Sequence, residues 1–178
     1  MLNSRICIFL FSVLMALAGC GSQPTAPLAT VAKVDLARYS GRWYEIALIP
    51  NKFQAMCVAD TQANYRGDGD QIRVTNRCRK QDGSIAEVNG IAKIVDGSGN
   101  AKLRVSFFRP FYGHYWVLAL DPDYKWVLVG EPQRKFCWVL SRTTNMTEPE
   151  LQRALDRAVA LGYAREAFRL TAQTRPIE

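Results

Sequence analysis

Gly41-Arg42-Trp43-Tyr44-Glu45-Ile46-Ala47-Leu48-Ile49 is a nine-residue run of mostly apolar and aromatic residues with no proline, closed off by Pro50-Asn51. Such a run, short and bounded by turn residues, reads as a β-strand. Side chains alternate across a strand, so counting from Trp43 sets Glu45, Ala47 and Ile49 on its face and Arg42, Tyr44, Ile46 and Leu48 on the other. Working outward, residues 34 to 142 form a succession of similar runs separated by turn clusters: Gly67-Asp68-Gly69-Asp70, Gln81-Asp82-Gly83, Asp96-Gly97-Ser98-Gly99-Asn100 and Asp121-Pro122-Asp123. Eight strands are expected, near 42–49, 57–66, 71–79, 85–95, 101–108, 113–121, 124–130 and 136–142. Hairpin-length connections make them an antiparallel meander. Eight strands suffice to close a barrel that holds one small ligand, with an open sandwich as the alternative.

One helix follows. Thr147 and Glu150 make a capping box, Pro149 lies in the first turn and Gly162 supplies a stop. Leu151, Ala154, Leu155, Ala158 and Val159 form its apolar stripe. A helix cannot fit inside so small a barrel, so the stripe is expected to pack on the outer wall over Cys137 and Val139. A partner-binding helix is the alternative.

Before the first strand the sequence has a different character. Arg5 gives a positive start, Ile6 to Leu17 is apolar but too short to span a membrane, and small residues follow. Residues 1–19 read as a signal peptide. Leu17-Ala18-Gly19-Cys20 resembles the bacterial lipobox, which implies that Cys20 is lipidated and becomes the first residue; an ordinary signal peptide is the alternative. The absence of Asp after Cys20 resembles lipoproteins sent to the outer membrane. The expected address is therefore the cell outer membrane, lipid-anchored, with the domain facing the periplasm. Residues 20–32, small and Pro-containing, read as a flexible linker, and the domain as 33–178.

The chain has 178 residues, 48% hydrophobic and 11% aromatic, enough for one core. Its net charge of +7 falls to +6 without Arg5 and is spread along the chain, so nucleic acid is not an expected partner. Cys7 leaves with the signal, so Cys57, Cys78 and Cys137 face an oxidising envelope. Cys57 starts the second strand and Cys78 ends the third, which makes them the expected disulfide. Pairing Tyr65 with Asp70 would set them opposite one another; pairing Arg66 with Gln71 would make them diagonal neighbours, too far apart without a bulge.

Three segments carry a family resemblance. Asp35-Leu36-Ala37-Arg38-Tyr39 followed by Gly41-Arg42-Trp43, then Leu120-Asp121-Pro122-Asp123-Tyr124, then Trp138-Val139-Leu140-Ser141-Arg142 resemble, in order, the three lipocalin signatures, with Pro122 departing from the second. The chain looks specifically like the lipocalin lipoproteins of bacteria, an apolipoprotein D-like family. The resemblance implies an all-β fold with one helix: an eight-stranded antiparallel up-and-down barrel with the C-terminal helix on its outside. It implies a structural set of Gly41, Trp43, Glu45 and Arg142, with Arg142 stacked over Trp43 at a closed end and Glu45 partnered there by Tyr and Arg side chains, the alternative for Glu45 being a ligand contact.

The floor residues fix which side chains point inward. Leu140, Trp138 and Phe136 follow from Arg142, and Leu118, Trp116, His114 and Tyr112 from an outward Asp121. Leu103, Val105 and Phe107 alternate against Lys102, Arg104 and Ser106. The expected ligand-binding set is Ala47, Ile49, Phe53, Val105, Phe107, Tyr112, His114, Trp116, Leu118 and Trp138. Phe53 and Met56 belong to a lid loop over 50–56, and 108–113 forms a second aromatic rim. His114, near the mouth, is a candidate for a headgroup contact or a solvated loop edge.

A fatty acid or lysophospholipid is the ligand implied, in a monomer or homodimer that needs no cofactor or metal. An acyl chain of about sixteen carbons, at roughly 0.8 kcal/mol per CH₂, gives some 12 kcal/mol before entropy is subtracted. Two rivals are an isomerase or de-epoxidase on this fold and an envelope interaction module. The enzyme lacks parts: with one histidine there is no His-x-x-x-His, no Gly-x-Ser-x-Gly and no Cys-x-x-Cys.

Overall fold

In the computed structural model, which describes residues 26–175 and 177–178, the runs of alternating and β-branched residues form eight antiparallel strands. They are β1 (Gly41–Leu48), β2 (Cys57–Asp68), β3 (Gln71–Lys80), β4 (Ile85–Ile94), β5 (Lys102–Phe108), β6 (Phe111–Leu120), β7 (Trp126–Gly130) and β8 (Cys137–Ser141). Each pairs with its sequence neighbour, and β1 pairs with both β8 and β2, so the sheet closes on itself. The signal peptide and Cys20 lie outside the described residues. The lid, the β3–β4 turn, the β5–β6 turn and the β7–β8 loop gather at one end. The 95–101 and 121–125 turns gather at the other, with a short helix α1 (Leu36–Tyr39) capped by Asp35.

Helix α2 (Glu148–Ala160) follows the barrel, its start held by the Glu150 carboxylate, which accepts from the Thr147 N–H at 3.2 Å and its hydroxyl at 2.8 Å. Leu151, Ala154, Leu155 and Ala158 are buried in one cluster with Cys137, Val139, Leu118 and Leu128 of the outer wall. Val159, expected in the stripe, is instead 45% exposed, because it sits at the stripe's edge in the last turn of the helix.

Residues 26–32 are not a free linker. Leu28 is buried beside α2, Val31 donates to the Val117 carbonyl at 3.0 Å, and Arg134 donates to the Ala26 carbonyl at 2.7 Å. The apolar Leu28 and Val31 give this segment a reason to dock, which its small and Pro-containing composition hides.

The disulfide Cys57–Cys78 is present, with Cα atoms 5.5 Å apart. Neither simple register holds. The two-residue turn Gly69-Asp70 pairs Asp68 with Gln71, and two irregularities in β2 then bring Cys57 opposite Lys80, diagonal to Cys78. Those bulges supply the close approach that a diagonal pair otherwise lacks.

Past Tyr44 and Gln62, β1 and β2 diverge, and the chain's C-terminal segment fills the gap. A two-residue strand β9 (Arg169–Leu170) pairs with β1, Thr171 donates to the Ile46 carbonyl, and Asp60 N–H to the Ala172 carbonyl. The buried Asp60 carboxylate clasps the segment: it accepts from Arg79 Nε at 2.7 Å and from the backbone N–H groups of Thr174 at 2.6 Å and Arg175 at 3.0 Å. Burial alone would raise this carboxyl; the hydrogen bonds win and hold it below its ordinary value. A depressed carboxyl stabilises the fold above its unfolded value of about 3.9, and the contribution disappears as pH falls through the lower folded value. Asp60→Asn is therefore expected to cost about 1 to 2 kcal/mol at neutral pH and to flatten the loss of stability below about pH 4, read by urea unfolding across pH.

Candidate functional site

The barrel is sealed at one end. Arg142 stacks 3.8 Å from the centroid of the fully buried Trp43 ring and donates to the carbonyls of Arg42 at 2.8 Å and Arg38 at 2.5 Å. Trp43 Nε1 donates to the Tyr39 carbonyl at 2.8 Å. Gly41 has φ +93°, a conformation that L side chains rarely adopt, and a Cβ there would sit 3.5 Å from the guanidinium. Above this floor the hydroxyl of Tyr115 meets those of Tyr39 at 2.7 Å and Tyr65 at 2.8 Å. Burial pushes Tyr65 up to about 12 and the other two well above their ordinary value, so the triad is neutral in the physiological range.

Around the triad the inner face is apolar: Ala63, Val74, Ala92, Leu103, Val117 and Val129 belong to one buried cluster, with Val105 and Trp138 packed against it. Toward the open end the wall reaches solvent. Val88 and Phe107 share the inner face by register with Asn76 and Val105, yet they are 43% and 37% exposed. Solvent therefore reaches both from the open end. The Phe107 ring lies so close over Gly90 that a Cβ there would come within 2.6 Å of it, so the ring keeps to the wall. The Asn76 amide oxygen is buried without a hydrogen-bond partner among the described residues.

A lid closes part of the mouth. Asn51 caps a single 3₁₀ turn, Lys52–Gln54, and Gln54 reaches inward, accepting from Trp138 Nε1 at 2.7 Å and donating to Glu45 at 2.7 Å. Thr171 donates to the other Glu45 oxygen at 2.5 Å. Burial pushes the Glu45 carboxyl up, and these two bonds pull it part of the way back. Glu45 thus ties lid, wall and C-terminal segment together beside a cleft of about 290 Å³. Its partners are Gln54 and Thr171, not the Tyr and Arg side chains of the floor. Phe53, 65% exposed, stands edge-on to Phe136 at 5.7 Å on the rim.

Two bulges correct the inward set. β1 shifts register between Glu45 and Ala47, so Ile46 and Ala47 both face outward beneath α2, Leu48 turns in beside Trp138, and Ile49 packs against the outer cluster. β6 shifts between Val117 and Ala119, which puts Leu118 and Trp116 on the outer wall and Tyr115 and Val117 inside. Tyr112 and His114 are outward with them: His114 pairs with the outward Arg104, whose guanidinium lies 5.8 Å from the Tyr112 ring, and Lys102 lies 4.3 Å from the Trp116 ring. Ala47, Ile49, Tyr112, His114, Trp116 and Leu118 therefore leave the candidate cavity. Val105, Phe107 and Trp138 stay, Phe53 is at its rim, and Leu48, Val88, Asn76, Gln54 and Tyr115 join them.

A closed barrel with a stacked Trp–Arg floor, an apolar bore and a lidded mouth is a cup-shaped β-barrel. A lipocalin-like domain matches residues 34–173, and the chain belongs to the lipocalin-like family. It is similar to temperature-induced lipocalin-1 of Arabidopsis thaliana, 39% identical over 145 residues covering 76% of this chain and 77% of that protein. It is also similar to the outer membrane lipoprotein Blc of Vibrio cholerae, 33% identical over 159 residues covering 88% and 92%. Insecticyanin of the tobacco hornworm Manduca sexta shares the fold, with a TM-score of 0.67 at 20% identity, covering 82% of this chain and 84% of that one.

Proposed function

We propose that this protein is an envelope lipid carrier whose barrel takes up the acyl chain of a fatty acid or lysophospholipid and leaves the polar head at the mouth, without catalysis, cofactor or metal. The observation that supports this reading is the contrast between the two ends of the barrel: inward-facing Val88 and Phe107 meet solvent at the open end, above an apolar inner face and a sealed floor. Between the Arg142 floor and the rim, Glu45 is the one charged side chain on the inner face among the described residues, and it is already bonded. An anionic head therefore has no cation waiting inside and is better placed at the rim, beside Lys52, Arg109 and Lys135.

The resemblance of residues 17–20 to a lipobox and the similarity to outer membrane lipoproteins support anchoring through Cys20 to the outer membrane, with the domain in the periplasm. Val88→Asp tests the cavity. A carboxylate buried along the acyl path is expected to weaken binding of a fluorescent fatty acid by roughly 3 kcal/mol, about a hundredfold. Val159→Asp on the outer helix is the control. Equal affinities for the two variants would place the ligand elsewhere.

A further inference from the structure

We propose that the open rim of the barrel docks on the lipid bilayer, so that the mouth faces the membrane from which the ligand comes; this rests on the lipid-carrier reading above. Four large apolar side chains stand out at this end: Phe53 at 65% exposed, Met56 at 52%, Phe108 at 80% and Phe111 at 75%. They come from two separate connections, the lid and the β5–β6 turn, at the same end of the barrel. Phe108 and Phe111 face each other across the turn's two residues. Exposed aromatic groups grouped in this way are costly in water and favourable at the level of lipid headgroups.

The charge around them has the matching sign. Lys52, Arg109 and Lys135 are exposed on the lid, the β5–β6 turn and the β7–β8 loop. The acidic Asp82 in the β3–β4 turn is offset by Lys80 at 3.7 Å. Basic residues interleaved with aromatic tips fit an anionic phospholipid surface. Neither the aromatic nor the basic groups are drawn into the bore, so the same loops can touch lipid while the cup stays open.

The tether leads to the same end. Ala26 is held by Arg134 of the β7–β8 loop, and from there the chain runs down the wall toward the floor, Val34 reaching Gly99. Ala26 lies six positions after Cys20, a reach of at most about 20 Å even when fully extended. An acyl anchor on Cys20 would thus hold the rim, not the Trp43 floor, next to the bilayer.

The docking surface is tested apart from the anchor. The mature chain with Cys20→Ser carries no acyl group and is expected to co-sediment with vesicles of phosphatidylethanolamine and phosphatidylglycerol, less so as salt is raised. Phe108→Glu combined with Phe111→Glu should lower its partition coefficient about tenfold or more, with an unchanged melting temperature showing that the fold is intact. Failure of the parent to bind these vesicles, or equal binding by the double variant, overturns the proposal. For the lipidated protein on the same vesicles, hydrogen exchange should slow in 50–56 and 108–112 and not in 96–100 and 121–125. Protection of the floor loops instead would also overturn it. Palmitate labelling of wild type against Cys20→Ala reports on the anchor separately: vesicle binding without labelling supports the rim and sinks the lipobox.

Discussion

Trp43→Ala is expected to lower the free energy of unfolding by about 3 to 5 kcal/mol, the largest effect of any single substitution considered for this fold. The indole is fully buried, donates to Tyr39, and forms the surface on which Arg142 lies. Removing it opens a void at the floor and leaves a half-buried guanidinium with two backbone acceptors but no ring beneath it. Arg142→Ala should cost less, about 2 to 3 kcal/mol, since it removes the cation–π contact and those two hydrogen bonds while the indole stays. Urea unfolding of both variants gives the comparison. A Trp43→Ala cost below about 1 kcal/mol would mean that the floor is loosely packed and does not hold the barrel closed. Because neither residue lines the mouth, folded protein of either variant should bind ligand as the parent does.

Replacing Cys57 and Cys78 by serine should cost about 3 kcal/mol, from the loop entropy released in the unfolded chain by a crosslink spanning 21 residues. The bond ties the start of β2, where the lid ends, to β3. Its loss should therefore also loosen residues 50–56 before the rest of the barrel unfolds, seen as earlier hydrogen exchange there. Cys137 is buried under α2, and burial pushes its thiol well above the ordinary range. It should stay unreactive toward alkylating reagents until the protein unfolds. Peptide mapping without reductant that yields a Cys57–Cys137 pair, or two free thiols at 57 and 78, would contradict this assignment.

The eight strands and the helix were legible because their boundaries are written in turn residues and a capping box. What the sequence hid was parity within two of the strands. β5 alternates Lys102-Leu103-Arg104-Val105-Ser106-Phe107, polar against apolar, and its inward set is readable directly. In β1 and β6 both faces are apolar, Ile46-Ala47-Leu48 and Val117-Leu118-Ala119-Leu120, so a bulge leaves no mark on the pattern. Each bulge turns two consecutive side chains outward under α2, which gives the helix a broader apolar footing than strict alternation would. The β6 bulge shifts the inward parity by one residue from Leu118 to Tyr112. The Asp60 clasp was hidden for another reason. Its partners Arg79, Thr174 and Arg175 are distant in sequence and none belongs to a motif.

The central claim is that an acyl chain occupies the bore, and titration of the lipid-stripped mature protein with a fluorescent long-chain fatty acid tests it most directly. Saturation at one ligand per barrel, displaced by palmitate and by a lysophospholipid without turnover of either, is the predicted result. Non-saturable uptake, or saturable binding that Val88→Asp leaves unchanged, would contradict it.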